Sequence, residues 1–382
     1  MDILRDIWKP FGLKLLGLEI SEEGDGKVKW TGILAPVFHL LKLPVIIYLQ
    51  SRFYAKYNFG TWKGRRVANP FAPPVGSRAQ FRALKSIAKS SVLGRSYPLA
   101  VTFAVTYRCQ LTCPHCSAAH RLRKDTPELS TKEAKRVIDE GLDIGLSVIT
   151  FTGGEPLLRE DIFDLIAHVD GRRAITALFT NGLLLTDEVV DKLKSAGLYS
   201  LYVSLDSADP EEHDRLRGRR GSFQAAVKGI ERALSKGMMA CISSYSSRSN
   251  ARQRHYARIH QLGRKLDVPM IILFDCVPTG ALLHDTSDMM KPEQKSFIAR
   301  YNEAAFERGI KPMIASQAWQ NSIEGYLSGI GCIAGHLQYY VSAYGDVAPC
   351  DFSPISFGNV RQESIKQIWK RIIKHLAYNH LS

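Results

Sequence analysis

Carboxylates are missing from one long stretch of this 382-residue chain: residues 51–100 hold ten Lys or Arg, from Arg52 to Arg95, and not one Asp or Glu. Such a segment cannot neutralise itself and calls for an anionic partner or solvent. Nucleic acid is the obvious anion, but the chain has no zinc-finger spacing and no aromatic-interleaved basic motif, so no nucleic-acid partner is expected. A clean membrane span is also absent. The most apolar run, Ile33 to Gln50, is broken by Pro36, His39, Lys42 and Pro44, which suits a segment lying in a membrane interface better than one crossing it. The opening Met1-Asp-Ile-Leu-Arg shows no cleavable-looking signal peptide, and the seven cysteines sit largely on motifs. Both features argue against a disulfide framework and predict a reducing, cytoplasmic setting. There is no internal repeat, and no low-complexity tract beyond a short serine run at 243–249.

A fourth neighbour is what the cysteine cluster lacks. Cys109, Cys113 and Cys116 stand in Thr106-Tyr-Arg-Cys-Gln-Leu-Thr-Cys-Pro-His-Cys, directly after an apolar run. Three thiolates on one short loop can hold three corners of an iron-sulfur cube and leave one iron open to a ligand. The rival reading is structural zinc, with His115 or His120 as fourth ligand. A second motif weighs against zinc: Val148-Ile-Thr-Phe-Thr-Gly-Gly-Glu-Pro reads as a buried strand entering a tight turn at Gly153-Gly154, followed by Glu155 and Pro156. With these two motifs in this order, the chain resembles the radical S-adenosylmethionine (SAM) superfamily over roughly residues 98–360.

From Leu99 onward, apolar runs at 99–105, 148–152, 175–180, 201–205, 239–243 and 268–274 alternate with helical patterns near 131–145, 161–169, 186–196, 222–236 and 252–264. Strand then helix, six times over, predicts an α/β fold with a parallel sheet curved into a partial (β/α)6, TIM-like barrel. Chemistry is then expected at the carboxyl ends of the strands. Three regions follow: a basic, membrane-interfacial residues 1–97, a barrel at 98–285, and a C-terminal region at 286–382. At the far end Ile365, Ile368, Trp369, Ile372 and Leu376 fall on one helical face, as in a surface helix docked on the core.

The resemblance implies a 4Fe-4S cluster on Cys109, Cys113 and Cys116, with SAM chelated at the open iron and cleaved reductively to a 5′-deoxyadenosyl radical that takes hydrogen from an unactivated carbon. It implies that Gly153, Gly154, Glu155 and Pro156 approach the methionine ammonium and that His115 touches the adenine. Ser204 and Asp206 match contacts to the ribose hydroxyls, and Ser244 or Arg248 a contact to the methionine carboxylate. Thr180-Asn181-Gly182 reads as a turn. Cys332, Gly345, Cys350 and Gly358-Asn359-Val360 resemble the opening half of a SPASM or twitch extension, which binds auxiliary clusters. No cysteine follows Cys350, so a second iron-sulfur cluster would need Cys276 beside Cys332 and Cys350, while Cys241 reads as core. An electron donor such as flavodoxin or ferredoxin is implied.

The substrate divides two enzyme readings. A lipid or isoprenoid at an anionic membrane surface suits residues 33–95, with the enzyme peripheral on the cytoplasmic face. A peptide is the alternative, although residues 1–97 lack the pattern of a winged-helix peptide-binding domain. A non-catalytic metal-bound scaffold is the third reading, and the intact Gly-Gly-Glu-Pro turn argues against it.

Overall fold

The computed structural model describes residues 19–22, 28–31 and 59–375, apart from 94, 120, 124 and 321–331. The apolar run at 33–50, Arg52, Lys56, His120 and Leu376 therefore lie outside the described residues. The centre is a nine-stranded sheet. Its strands are β1 (Ala100–Thr106), β2 (Val148–Gly153), β3 (Ile175–Thr180), β4 (Ser200–Ser204), β5 (Met239–Ser246), β6 (Met270–Asp275), β7 (Met313–Ser316), β8 (Gln338–Val341) and β9 (Val347–Ala348). Their spatial order is β7-β6-β5-β4-β3-β2-β1-β8-β9, parallel throughout except for β8 against β9. The six expected strands are present as spatial neighbours in their sequence order, and among the described residues the sheet is open, as in a partial barrel.

Local chemistry sets the crossovers. Helix α1 (Thr131–Ile144) begins at a capping box in which Ser130 Oγ accepts from the Glu133 N–H and Glu133 accepts from the Ser130 N–H. Helix α2 is Ile162–His168, and α3 (Asp187–Ser195) is capped by Thr186. A helix the periodicity does not announce, α4 (Pro210–Arg217), starts on Asp209 with Pro210 in its first turn. It is followed by α5 (Ser222–Ser235), α6 (His255–Lys265), α7 (Pro292–Glu307) and α8 (Ile365–Ile372). In α8 the expected face of Ile365, Ile368, Trp369 and Ile372 is buried, and the Trp369 indole donates to the Ser96 carbonyl at 3.1 Å. That face of α8 is part of the core.

Strand alternation separates two apolar layers. Phe103, Ile149, Leu178, Leu201, Ile242 and Ile271 join the large core beneath the helices. Ala177, Tyr202, Cys241, Met270 and Ile272 face the other way, packed with Phe179 and Phe274. Part of the acid-poor N-terminal region plugs the amino end of this second layer. Val67 is wholly buried against Val148, Ile175 and Tyr199, Trp62 sits edge-on to Tyr199 at 5.3 Å, and Phe71 stacks on Tyr202 at 4.4 Å. The carbonyls of Pro70 and Ala72 accept from Ser200 Oγ and Tyr199 Oη, each at 3.1 Å. Lys63, Arg65 and Arg66 remain exposed on the outside of the plug.

Removing the Phe71 ring should therefore open the floor of the sheet. Phe71→Ala is expected to cost about 2–4 kcal/mol, read as a lower urea midpoint at unchanged slope; an unshifted midpoint would show that the plug does not support the fold.

Candidate functional site

The cysteine loop leaves the carboxyl end of β1 and lies across the ends of its neighbours. It is held by backbone. The N–H groups of Gly154 and Glu155 donate to the carbonyls of Thr106 and Arg108, both at 2.8 Å. A Cβ on Gly153 or Gly154 would be driven into those same carbonyls, and Gly153 also has φ of +139°, so the turn needs glycine to meet the loop. At the other end of the loop the Ala281 N–H donates to the Cys116 carbonyl at 2.9 Å, and Gly280 closes on the same carbonyl.

Glu155 is fully buried. Its carboxylate accepts from the Leu157 and Asn181 N–H groups and from Thr180 Oγ1 at 3.1, 2.8 and 2.8 Å, locking the Gly-Gly-Glu-Pro turn to the end of β3. Burial nevertheless pushes its pKa up to about 7. Pro156 opens the short 3-10 turn Pro156–Leu158. Asn181, read from the sequence only as a turn, also directs Nδ2 toward Cys109 Sγ at 4.0 Å.

A charged relay lies beside the second cysteine. Asp206, at the end of β4, is buried and pairs with His115 Nε2 at 2.9 Å and Arg217 Nη2 at 2.7 Å. Burial works against its charge, yet Arg217 and His115 outweigh it and hold the carboxyl well below the usual range. Arg217 also directs Nη1 toward Cys113 Sγ at 3.8 Å. Burial pushes the Cys113 thiol up to about 11 against the opposing pull of Arg217, and burial raises Cys109 as well. The His115 ring stacks on Tyr245 at 4.2 Å. Sequence reasoning missed Arg217 and Tyr245. Arg217 belongs to the unassigned helix α4, while Tyr245 was findable from strand alternation, since Cys241, Ser243 and Tyr245 share a face of β5.

The remaining nominated residues are more scattered. Ser204 is half-buried in phase with Tyr202. Ser244 is out of phase with Tyr245, and its hydroxyl bonds His255 Nε2 at 3.1 Å. Arg248 donates Nε to the Met289 carbonyl at 3.3 Å. Burial pushes the Cys276 and Cys350 thiols up to about 11 each. The Cys276 loop is tied to the Cys350 loop through Thr279 Oγ1 and the Phe352 carbonyl at 3.4 Å. Cys241 is wholly buried. Among the described residues no three Cys, His, Asp or Glu side chains already converge as a metal site.

The donor set suits an iron-sulfur cluster: three thiols on one loop, with Cys109 approached by the Asn181 amide and Cys113 by the Arg217 guanidinium. His115 Nδ1, Arg217 Nε and Ser246 Oγ are buried without hydrogen-bond partners. Orphaned polar atoms at one mouth fit a polar cofactor.

Two results should follow. Gly154→Ala overpacks the turn against the loop, at a cost of about 1–3 kcal/mol, and should lower the iron retained per chain after anaerobic reconstitution. Gly171→Ala, where a Cβ meets open space, should not; equal iron in both variants would refute the clasp. Separately, burial pushes His213 and His255 down from 6.5 to about 4. Both rings take their proton more readily when unfolded, so their contribution is complete above about 6.5 and is lost as pH falls toward 4, up to about 3 kcal/mol each. The urea midpoint should drop over that window, and His213→Asn with His255→Gln should flatten the slope; an unaltered slope would refute the assignment.

Residues 103–245 match the family model of the radical SAM superfamily, and residues 332–375 that of the SPASM iron-sulfur cluster-binding domain. An AdoMet-dependent heme synthase of Methanosarcina barkeri is 32% identical over 291 residues, covering 72% of this chain and 82% of that one. An Fe-coproporphyrin III synthase of the same organism is 34% identical over 180 residues, 47% of this chain and 44% of that one. Among solved structures, Streptococcus suis SuiB bound to precursor peptide SuiA superposes with a TM-score of 0.61 at 19% identity, over 79% of this chain and 71% of that one. Native anSMEcpe with bound AdoMet gives 0.57 at 18% identity, over 74% and 82%; at such identities the likeness is one of fold. From its paired motifs, its sheet and these relatives, the chain belongs to the radical SAM superfamily, as an iron-sulfur enzyme that uses a 4Fe-4S cluster and S-adenosylmethionine.

Proposed function

We propose that this enzyme abstracts hydrogen from an unactivated carbon of a large apolar substrate bearing anionic groups, and that an iron porphyrin of the coproporphyrin type is that substrate. Cys109, Cys113 and Cys116 would hold the cluster; when bound with SAM it supplies a one-electron route to a carbon radical. The protein's own task is positioning. Gly153 and Gly154 fix the loop, Asp206 orients His115, and the stacked His115 and Tyr245 rings form a flat wall. Ser204 lies on the same strand face as Tyr202 but two residues nearer the carboxyl end of β4, and Ser244 and Arg248 would have to exchange their present partners to meet a cofactor carboxylate. A second cluster on Cys332 and Cys350, with Cys276 as third thiol, remains part of the reading.

The observation that carries the substrate class is the aromatic wall of the second apolar layer. Phe179 stacks on Tyr202 at 4.7 Å, Phe274 lies 6.2 Å from Phe179, and Phe352 meets Phe274 at 6.5 Å beside Cys350. Next to Phe352 along the chain, the carbonyl of Asp351 accepts from Arg121 at 2.6 Å, and the Arg121 guanidinium also lies over Tyr340 at 5.3 Å, whereas Arg123, over Tyr344 at 4.9 Å, is already ion-paired with Asp346 at 2.6 Å. Aromatic rings with the Arg121 guanidinium near their edge suit a flat body carrying carboxylates, and the heme synthase relative supports the same chemistry.

A second reading, a lipid or isoprenoid substrate taken from an anionic membrane surface, rests on the helix Arg78–Leu93. Phe81 is 63% and Leu93 54% exposed on a side that also carries Arg78, Lys85 and Lys89, the composition of an interfacial helix. Among the described residues no helix is long and apolar enough to cross a membrane.

Reduced enzyme with SAM should form 5′-deoxyadenosine, and Cys109→Ala/Cys113→Ala/Cys116→Ala should not; the product surviving in that variant would refute the site. About four irons left in it would support the second cluster. Fe-coproporphyrin III should raise 5′-deoxyadenosine formation, and Phe274→Ala should cut that stimulation about tenfold, the scale of one lost aromatic contact. Stimulation by a lipid extract alone, with salt-sensitive sedimentation on anionic liposomes, would replace the porphyrin reading by the lipid one.

A further inference from the structure

A shallow depression of about 440 Å³ lies on the outer side of the cysteine loop, floored by Leu158, Leu183 and Leu184 and rimmed by Gln110, Arg219 and Arg220. No acidic residue lines it. Arg219 and Arg220 are exposed and, among the described residues, pair with no carboxylate, unlike Arg215 and Arg217 on the preceding helix. Arg108 extends the rim, its Nη2 donating to the Leu158 carbonyl at 3.1 Å. Gln110 Oε1 is buried at this edge without a hydrogen-bond partner.

Position gives the depression its meaning. Gln110 directly follows Cys109, the one exposed thiol of the loop. The Arg217–Gly221 turn is held rigid by Asp214, whose carboxylate accepts from the Gly221 and Phe223 N–H groups at 2.5 and 2.8 Å. That turn sends Arg217 inward to Cys113 Sγ and leaves Arg219 and Arg220 outside. One loop thus contacts the cluster site on one side and presents unpaired cations on the other.

We propose that this depression is the dock for an acidic electron-transfer flavoprotein of the flavodoxin type, which is oxidised by one electron as the cluster on Cys109, Cys113 and Cys116 is reduced by one. The proposal rests on the cluster reading above. The leucine floor suits the apolar edge of an exposed flavin, and the arginine rim suits the carboxylates that surround it. Transient redox contacts are small, wet and steered by charge. The larger basic area at the plug lies at the opposite end of the strands, where a donor would face no thiol.

The test uses anaerobic holoenzyme with SAM, reduced either by dithionite or by enzymatically reduced flavodoxin, with 5′-deoxyadenosine as readout and flavodoxin oxidation followed by its absorbance. Arg219→Glu/Arg220→Glu should keep the dithionite-driven rate and lose about tenfold or more of the flavodoxin-driven rate, as charge reversal at a steered contact predicts. Salt should slow the flavodoxin-driven rate of the unaltered enzyme and have little effect on the variant. Arg219→Lys/Arg220→Lys should retain that rate, and Arg308→Glu/Lys311→Glu, at the amino end of β7, should leave it unchanged. A flavodoxin-driven rate that survives the reversal, or that falls only in step with the dithionite-driven rate, overturns the dock. If dithionite yields no 5′-deoxyadenosine even in the unaltered protein, the cluster reading fails and the dock with it.

Discussion

Three thiols on a loop can act on one ligand only while the loop's backbone is held still, and here that restraint comes from the ends of other strands. The turn after β2 donates two N–H groups to the first residues of the loop, and the segment after β6 donates another to its last cysteine. Arg217, reaching in from α4, faces the middle cysteine. Each contact joins segments far apart in sequence, so the loop's geometry depends on the whole parallel sheet forming in register. Glu155 adds the buried centre of this arrangement. An apolar side chain there would leave two backbone N–H groups and the Thr180 hydroxyl without an acceptor, a penalty that falls on the turn rather than on any cofactor contact.

Much of this was legible because the signals are local. Strand periodicity placed β3 to the residue and the other five within one to three residues, and the cysteine spacing with Gly-Gly-Glu-Pro located the mouth. What stayed hidden depended on partners distant in sequence. Arg217 sits on a charged, eight-residue helix with little apolar pattern, and nothing in its neighbourhood announces that it will face Cys113, 104 residues away. Ser244 was nominated on the family resemblance, and Tyr245 was passed over. The alternation of β5 puts Ser244 against His255 and Tyr245 against His115. The plug formed by Phe59–Ala72 was hidden for a related reason: a short aromatic segment among many cations reads as a surface arm until the open floor of the sheet is known to need covering.

Charge is sorted along the strand axis. At the amino end, Lys63, Arg65 and Arg66 ring a plug that is apolar within. At the carboxyl end, basic residues divide by role: Arg217 is buried on Asp206, Arg121 and Arg123 lie over tyrosines, and Arg219 and Arg220 stay open to solvent. The same net charge of +14 therefore supports different tasks at the two ends, and composition alone could not separate them.

The segment from Cys276 to Leu282 couples the two groups of cysteines. It accepts the order of β6, donates to the Cys116 carbonyl through Ala281, and reaches the Phe352 carbonyl through Thr279. A shift of the C-terminal extension must therefore pull on the loop that carries Cys109, Cys113 and Cys116, or else break one of these two bonds. Because Phe352 also closes the aromatic wall, a substrate pressing on that wall acts on the same linkage. The C-terminal extension, which carries Cys332 and Cys350, is thus mechanically joined to the first site whether or not it carries iron.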